Sequence, residues 1–218
     1  MDLAAFEKYP FLGILRGIGE DDLEPLTETI VSSALRNVEI TMNTPNAASL
    51  IKKMVSLAAG RLSVGAGTVC DMEALKAALD AGASFIVSPI LVTEVVATCV
   101  KRKLPVFPGA LTPSEIYHAW KAGASMVKVF PVGMFGPGYL KEIKAPMSHI
   151  KLMACGGVTP DNLKAYFEAG ASAVAFGSGV FREAWLKAKD FKSIGSQIRK
   201  FSLWRSGAAG RPAPLTPG

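Results

Sequence analysis

Ala81-Gly82-Ala83-Ser84-Phe85-Ile86-Val87, Ala122-Gly123-Ala124-Ser125-Met126-Val127-Lys128-Val129-Phe130 and Ala169-Gly170-Ala171-Ser172-Ala173-Val174-Ala175-Phe176 are three copies of one pattern. In each, Ala-Gly-Ala-Ser ends a polar, helix-like stretch and opens an apolar run. Glycine suits the left-handed residue that terminates a helix. A second step, Thr-Pro, occurs at Thr44-Pro45, Thr112-Pro113 and Thr159-Pro160, each time a few residues after a strand-like run. Threonine at an N-cap with proline at the first helical position starts a helix. Thr112-Pro113-Ser114-Glu115 is a capping box as well. The unit reads strand, short loop, capped helix, Ala-Gly turn, next strand.

Working outward, the strand-like runs number eight: Phe11–Arg16, Asn37–Thr41, Leu62–Gly67, Ser84–Ser88, Leu104–Pro108, Met126–Phe130, Ile150–Ala154 and Ala173–Gly177. Most are continuously apolar, as parallel strands buried on both faces are. Their spacing leaves room for one crossover helix each. Eight such units predict a (β/α)8 TIM barrel, near the short end of that fold's length range. A doubly wound open sheet is the alternative. It usually carries a phosphate fingerprint after its first strand, and here Gly13 and Gly17 flank that strand without G-x-G-x-x-G. Met1–Tyr9 is expected to form a helix closing the barrel bottom, and Arg182 to about Trp204 a long amphipathic helix. The barrel domain is placed at 1–205. Residues 206–218, rich in Gly, Ala and Pro, read as a surface tail.

Composition sets limits on function. Half of the 218 residues are hydrophobic and 19% are charged, which excludes disorder. The uncharged runs are too short and too rich in Gly, Ser and Pro to span a bilayer. Met1-Asp2-Leu3-Ala4-Ala5-Phe6-Glu7-Lys8 shows no signal-peptide core, so a cytoplasmic enzyme is the expectation. Cys70, Cys99 and Cys155 are too few and scattered for a disulfide framework or a zinc site. The net charge of +6 comes largely from Lys187, Lys189, Lys192, Arg199, Lys200, Arg205 and Arg211. No nucleic-acid motif accompanies them, and a solvated helix face accounts for them. A mildly positive protein also suits an anionic small molecule.

Active sites of this fold lie at the C-terminal ends of the strands. Lys128 stands out there, flanked by apolar residues within its strand. Pointing outward it would press an ammonium against the helix layer, which is costly. Pointing inward it would occupy a confined, partly dry pocket, where loss of hydration favours a nucleophilic amine. A structural lysine paired with a carboxylate is the other reading, and position alone leaves both open. Glu39 has the same character between Val38 and Ile40. It is a salt-bridge partner or an acid/base group. Two such charges, on the second and sixth strands, favour a shared site.

Cys155-Gly156-Gly157 follows the seventh strand and Gly177-Ser178-Gly179 the eighth. Glycines there expose backbone N–H groups, and a following helix N-terminus adds positive potential, which together make a phosphate cup. His118 lies within a helix and His149 at the barrel bottom, away from the predicted site. That argues against a Ser-His-Asp mechanism and against a histidine-bound metal. Cys155, with no histidine to activate it, reads as pocket wall.

Taken in order, Leu15-Arg16-Gly17, Val38-Glu39-Ile40-Thr41, Gly65-Ala66-Gly67-Thr68-Val69, Ile86-Val87-Ser88-Pro89, Pro108-Gly109, Thr112-Pro113-Ser114-Glu115, Lys128-Val129-Phe130-Pro131 and Gly156-Gly157 resemble the 2-keto-3-deoxy-6-phosphogluconate/phosphogalactonate aldolases. Each motif is weak alone; the ordered set, from about Phe11 to Phe181, is specific. The resemblance implies a class I aldolase that cleaves a phosphorylated 2-keto-3-deoxy sugar acid to pyruvate and glyceraldehyde 3-phosphate. It implies no metal or organic cofactor, and commonly a homotrimer. By matching position it makes Lys128 the Schiff-base lysine and Glu39 the general acid/base. Arg16 and Thr68 then line the keto-acid end, with Asn43, Pro89, Phe130 and Cys155 as further substrate-binding positions. Gly156, Gly157, Gly177 and Ser178 form the phosphate cup. Asn43 and Cys155 depart from the phosphogluconate branch, which usually has arginine and threonine there. Asn43-Thr44-Pro45 and Phe135-Gly136-Pro137-Gly138-Tyr139 look more like the phosphogalactonate branch. Two other functions share such a scaffold: an isomerase or synthase of the tryptophan or thiamin type, and a catalytically silent sugar-acid sensor.

Overall fold

The computed structural model describes residues 1–203. Strands β1 (Phe11–Leu15), β2 (Asn37–Thr41), β3 (Ser63–Gly67), β4 (Ile86–Val87), β5 (Val106–Phe107), β6 (Gly109–Ala110), β7 (Val127–Val129), β8 (Leu152–Cys155) and β9 (Ala173–Phe176) pair in parallel. Their order in the sheet is β5-β4-β3-β2-β1-β9-β8-β7-β6. The two ends of that series, β5 and β6, are consecutive in the chain and separated only by Pro108. The barrel expected from eight runs is therefore present, with its fifth strand split in two. Proline has no N–H to give the ladder, but its carbonyl is used. Lys128 N–H donates to Pro108 O at 2.9 Å, and Ser125 N–H to Val106 O at 2.9 Å. These bonds draw the fifth and sixth strands together and bring the ring close to closure.

Helices α1 (Leu3–Lys8), α2 (Leu23–Ser32), α3 (Ala47–Ala58), α4 (Met72–Asp80), α5 (Thr93–Lys101), α6 (Pro113–Lys121), α7 (Pro137–Lys144), α8 (Leu163–Glu168), α9 (Glu183–Lys187) and α10 (Phe191–Leu203) complete the units. Gly82, Gly123 and Gly170 all take positive φ, so the Ala-Gly-Ala-Ser repeats turn as expected. Thr112 caps α6: its hydroxyl accepts from Glu115 N–H while the Glu115 carboxylate accepts from Thr112 N–H. The other two Thr-Pro steps do not start helices. α3 begins at Ala47 behind a left-handed Asn46, and α8 at Leu163 behind Asn162. Buried Thr44 uses its hydroxyl across the barrel top instead, and Thr159 N–H is taken by the Asn162 side chain. The single helix expected from Arg182 to Trp204 is two, broken over Ala188–Asp190 with Lys189 left-handed at φ 54°. Trp204, the 205/206 boundary and the tail lie outside the described residues.

Side chains alternate across each strand, which divides the core. Val38, Ile40, Val64, Ala66, Val127, Val129, Leu152, Ala154 and Val174 pack outward against the helices. Leu12, Phe85, Val87, Phe107, Met126, Met153, Cys155, Ala173 and Ala175 fill the lumen together with Phe6. Phe6 comes from α1, which Asp2 caps by accepting from Ala4 and Ala5 N–H. Its ring lies 5.6 Å from that of Phe107, which lies 6.0 Å from Phe85. The amino-terminal helix closes the barrel bottom as expected, and the floor it makes is apolar.

The seam at the fifth strand leaves no space for a side chain. A Cβ on Gly109 would stand 2.1 Å from the Pro89 carbonyl oxygen, a backbone atom that cannot swing aside. Gly109→Ala should therefore destabilise by about 1–3 kcal/mol, the usual cost of overpacking. Urea unfolding should show a lowered midpoint with an unchanged slope.

Candidate active site

The parity of β7 sets the site. Val127 and Val129 are committed to the helix-facing core, so Lys128 between them turns into the lumen, one step above Met126. It is 6% exposed. Glu39 turns inward from β2 by the same rule, between outward Val38 and Ile40, and is 1% exposed. The space for its carboxylate comes from β3. A Cβ on Gly67 would lie 2.3 Å from Glu39 Oε1. Glycine there is a requirement of the carboxylate beside it rather than of the backbone.

Burial pushes the Glu39 carboxyl above its ordinary range; Lys128, and then Arg16, pull it back. Its Oε2 atom has no hydrogen-bond partner among the described residues. Burial also raises the Cys155 thiol, with Lys128 the largest opposing influence and Glu39 and Arg16 acting in opposite senses. A buried thiol held protonated in this way is a wall, not a nucleophile. Thus Lys128, Glu39 and Cys155, from three strands, and Arg16, just past the end of β1, share one electrostatic environment at the barrel top. The Lys128 ammonium also lies 5.3 Å from the centre of the Phe130 ring, which the cis Phe130–Pro131 bond follows.

Beside Arg16 and Cys155 opens a cavity of about 710 Å³; Lys128 and Glu39 are not among the described residues that line it. Arg16, Phe130, Cys155, Gly156, Gly157, Gly177 and Ser178 all line it. Gly156 and Gly157 have φ of 97° and 73°, left-handed values that favour glycine. Asn162 closes their loop, accepting from Thr159 N–H and donating to the Gly157 carbonyl, both at 2.8 Å. Val180 and Phe181 N–H fold back onto the Gly177 carbonyl in the opposite loop. The helices that follow begin late, at Leu163 and Glu183. The glycine loops therefore line the cavity ahead of α8, while α9 reaches it through Glu183 and Lys187.

The remaining expected positions are more dispersed. Thr68 follows β3 half-buried and left-handed at φ 56°. That is strained for a β-branched residue, as functional positions often are. Pro89 lines a separate hollow of about 340 Å³ with Ile90, Gly109 and Glu115, and Phe130 forms the wall between the two spaces. Asn43 is exposed on the loop after β2 and lines neither. His118 and His149 are exposed and also line neither. No group of three or more His, Cys, Asp or Glu side chains is arranged to hold a metal among the described residues. No helix there is long and apolar enough to cross a membrane.

Sequence reasoning missed the outer rim. Asp22, Glu183, Lys187 and Lys189 also line the large cavity. Asp22 accepts from Gly19 N–H and pairs with Lys189, which ties the loop after β1 to the break between α9 and α10. The unexpected break at Lys189 is what brings that lysine round, and no glycine or proline marks it in the sequence.

Comparison with known proteins gives a consistent picture. Residues 4–197 match the family model described as KDPG and KHG aldolase. The chain is 36% identical over 176 residues to the 2-dehydro-3-deoxy-6-phosphogalactonate aldolase of Escherichia coli K12, covering 80% of this chain and 86% of that one. It superposes on a solved structure titled "Native KDPGal structure" with a TM-score of 0.83 and 33% identity, over 89% of this chain and 93% of that one. A KDPG aldolase from Legionella pneumophila, solved with pyruvate captured as a covalent carbinolamine, gives a TM-score of 0.83 at 25% identity. That match covers 90% of this chain and 95% of the other.

The raised Glu39 carboxyl links stability to pH. A folded-state pKa above the unfolded one means the folded protein holds its proton longer. Stability contributed by the protonated form is present below the ordinary carboxylate range and lost as pH rises through the folded value. Glu39→Gln cannot titrate there. Its melting temperature relative to the wild type should therefore climb as pH is raised above the ordinary carboxylate range, about pH 4. A difference that is flat or falls as pH is raised would place the carboxylate in a less buried setting.

Proposed function

We propose that the chain, which belongs to the KDPG and KHG aldolase family, is a class I aldolase. On this reading it cleaves a 2-keto-3-deoxy-6-phospho sugar acid to pyruvate and D-glyceraldehyde 3-phosphate. The observation that carries the reading is that buried Lys128 and buried Glu39 both turn into the lumen and act electrostatically on one another, next to Arg16 and Cys155, which line a cavity walled by glycine loops. Lys128 Nζ attacks the C2 carbonyl and gives a carbinolamine, and loss of water gives the iminium. Glu39 takes the proton of the C4 hydroxyl. The C3–C4 electron pair then flows into the iminium, releasing the aldehyde and leaving the enamine of pyruvate. Reprotonation at C3 and hydrolysis free pyruvate and the lysine. The iminium is itself the electron sink, so this route calls for neither metal nor organic cofactor. A carboxyl raised by burial is a stronger base once ionised than one in water, which suits abstraction of a hydroxyl proton.

In the same reading Arg16 meets the keto-acid carboxylate, with Thr68, Phe130 and Cys155 around the carbon chain; Pro89 stands beyond Phe130 in the adjoining hollow, and Asn43 acts from the loop after β2. The amides at Gly156, Gly157, Gly177 and Ser178 take the phosphate. We take 1–205 as the aldolase domain and the enzyme as a cytoplasmic homotrimer, on the family's usual pattern. The named relatives include both phosphogalactonate and phosphogluconate aldolases, so the C4 epimer has to be argued from the pocket. Cys155 stands in the wall beside Lys128, where a thiol hydrogen-bonds far more weakly than a hydroxyl. A polar group left unmatched there costs roughly 1–3 kcal/mol. We infer a preference for the phosphogalactonate substrate.

Two measurements test this. Incubation with pyruvate and borohydride should add one reduced pyruvyl group, and peptide mapping should place it on Lys128. Labelling of another lysine, with Lys128→Ala still active, would overturn the assignment, and no adduct at all would indicate a sugar-acid sensor. For the epimer, kcat/KM should favour phosphogalactonate by about ten- to a hundredfold. The ratio should fall in the Asn43→Arg/Cys155→Thr double variant. A wild-type preference for phosphogluconate, or an unchanged ratio in the double variant, would sink the inference.

A further inference from the structure

We propose that Thr44 is a positioning residue for substrate binding, acting through Arg16; the proposal rests on the reading of Arg16 as the carboxylate contact. Thr44 is 3% exposed and lies in the loop after β2. Its own N–H donates to the Thr41 carbonyl at 2.9 Å, and its carbonyl accepts from Ala47 N–H at 3.1 Å. The residue is thus held at both backbone ends, and its hydroxyl has a fixed place. That hydroxyl lies 3.1 Å from the Thr41 hydroxyl, itself fully buried, and accepts from Gly17 N–H at 3.1 Å.

The Gly17 N–H belongs to the Arg16–Gly17 peptide. Holding it fixes the rotation of that peptide and so the direction in which the Arg16 side chain leaves the top of β1. The turn itself adds little restraint. Gly17 has a left-handed φ of 65°, and a Cβ placed on it would meet no atom within 4 Å. The turn is therefore open, and glycine imposes little restraint of its own. Arg16 itself is exposed, yet it acts on both Glu39 and Cys155. An exposed arginine aimed over a buried site needs its backbone held, since its long side chain samples many rotamers. Here a buried side chain on the neighbouring strand's loop supplies the hold, 27 residues away in sequence.

The two loops are then one unit. β1 carries the cation and β2 carries the carboxylate, and the Thr44–Gly17 bond sets the spacing between their upper ends. Without the hydroxyl the Gly17 N–H turns to solvent, and the guanidinium spends less time over the cavity. Binding weakens while the lysine and glutamate stay in place. KM should carry the effect, and kcat should not.

The test is steady-state cleavage of the phosphogalactonate and phosphogluconate substrates by wild type, Thr44→Val, Thr44→Ser, Arg16→Met and the Thr44→Val/Arg16→Met pair. Thr44→Val keeps shape and removes the acceptor; Thr44→Ala is the second hydroxyl-free variant should valine prevent folding. Either should raise KM about tenfold with kcat within about twofold. Thr44→Ser, which restores the hydroxyl, should return KM to the wild-type range. On the Arg16→Met background, loss of the Thr44 hydroxyl should change KM by less than about twofold, because residues acting through one contact do not add. A full tenfold rise on that background overturns the proposal and leaves the Arg16 reading intact. An Arg16→Met enzyme with unchanged KM overturns the Arg16 reading, and the proposal falls with it. A fall in kcat with KM unchanged in Thr44→Val would assign Thr44 to the chemistry instead.

Discussion

A carboxylate buried beside an ammonium in a barrel lumen is the constraint to which the upper half of this protein conforms. Removing a charge from water is expensive unless partners replace the solvent. Glu39 has one oxygen without a partner and is held high by burial. The fold accepts that cost and arranges its neighbours around it. Gly67 gives up a side chain so that the carboxylate has room. Val38 and Ile40 fix its direction by packing outward. Lys128 and Arg16 supply the compensating charge. Buried opposite charges are weak evidence of stability, since apolar residues of similar volume often do as well. Two opposite charges buried at such cost, at the end of the barrel where this fold does chemistry, point to function.

The lower half shows what the upper half forgoes. Phe6, Phe85, Phe107, Met126 and Met153 fill the lumen with apolar volume, and α1 seals it from beneath. One strand position higher the contents change from Met126 to Lys128 and from Met153 to Cys155. The boundary between dry floor and reactive layer is thus a single step of two residues along each strand. In the proposed reaction this matters because the amine and carboxylate stand on a surface that water cannot enter from below.

Much of this was legible in the chain. A lone charge inside an apolar strand is a strong signal, because parity leaves only two destinations and one of them is costly. Lys128 and Glu39 could be read for that reason. The Ala-Gly-Ala-Ser turns were legible too, since a left-handed terminus has few suitable residues. The misread features are those in which a local motif has a second, long-range partner. Thr44-Pro45 and Thr159-Pro160 look like Thr112-Pro113, but only Thr112 has a glutamate three residues on to complete the box. Without that partner the Thr44 hydroxyl was free to bind across to β1. The split at Pro108 was foreshadowed by a proline at the end of a run, yet its role in closing the ring depends on which strand lies alongside. Lys189 takes a left-handed turn with no glycine to announce it, and its pairing with Asp22 spans almost the whole chain.

These long-range partners share a geometry that bears on specificity. The Thr44–Gly17 bond joins the loops after β1 and β2, and the Asp22–Lys189 pair joins the loop after β1 to the far side of the glycine cup. The β1 loop is therefore held from both sides: by a buried hydroxyl at the carboxylate end of the cavity and by an ion pair at the opposite rim. The first hold is largely shielded from salt because Thr44 is buried and the bond is neutral. The second is half-exposed on the lysine side and weakens as ionic strength rises. On the proposed reading a phosphorylated substrate of fixed length reaches from Arg16 to the glycine loops, so the separation of the two ends has to be kept within a narrow range. Strands deliver the lysine and the glutamate to their places by packing alone. On that reading the span between the two anionic ends of the substrate is set instead by the β1 loop, through contacts that no single segment of the sequence contains.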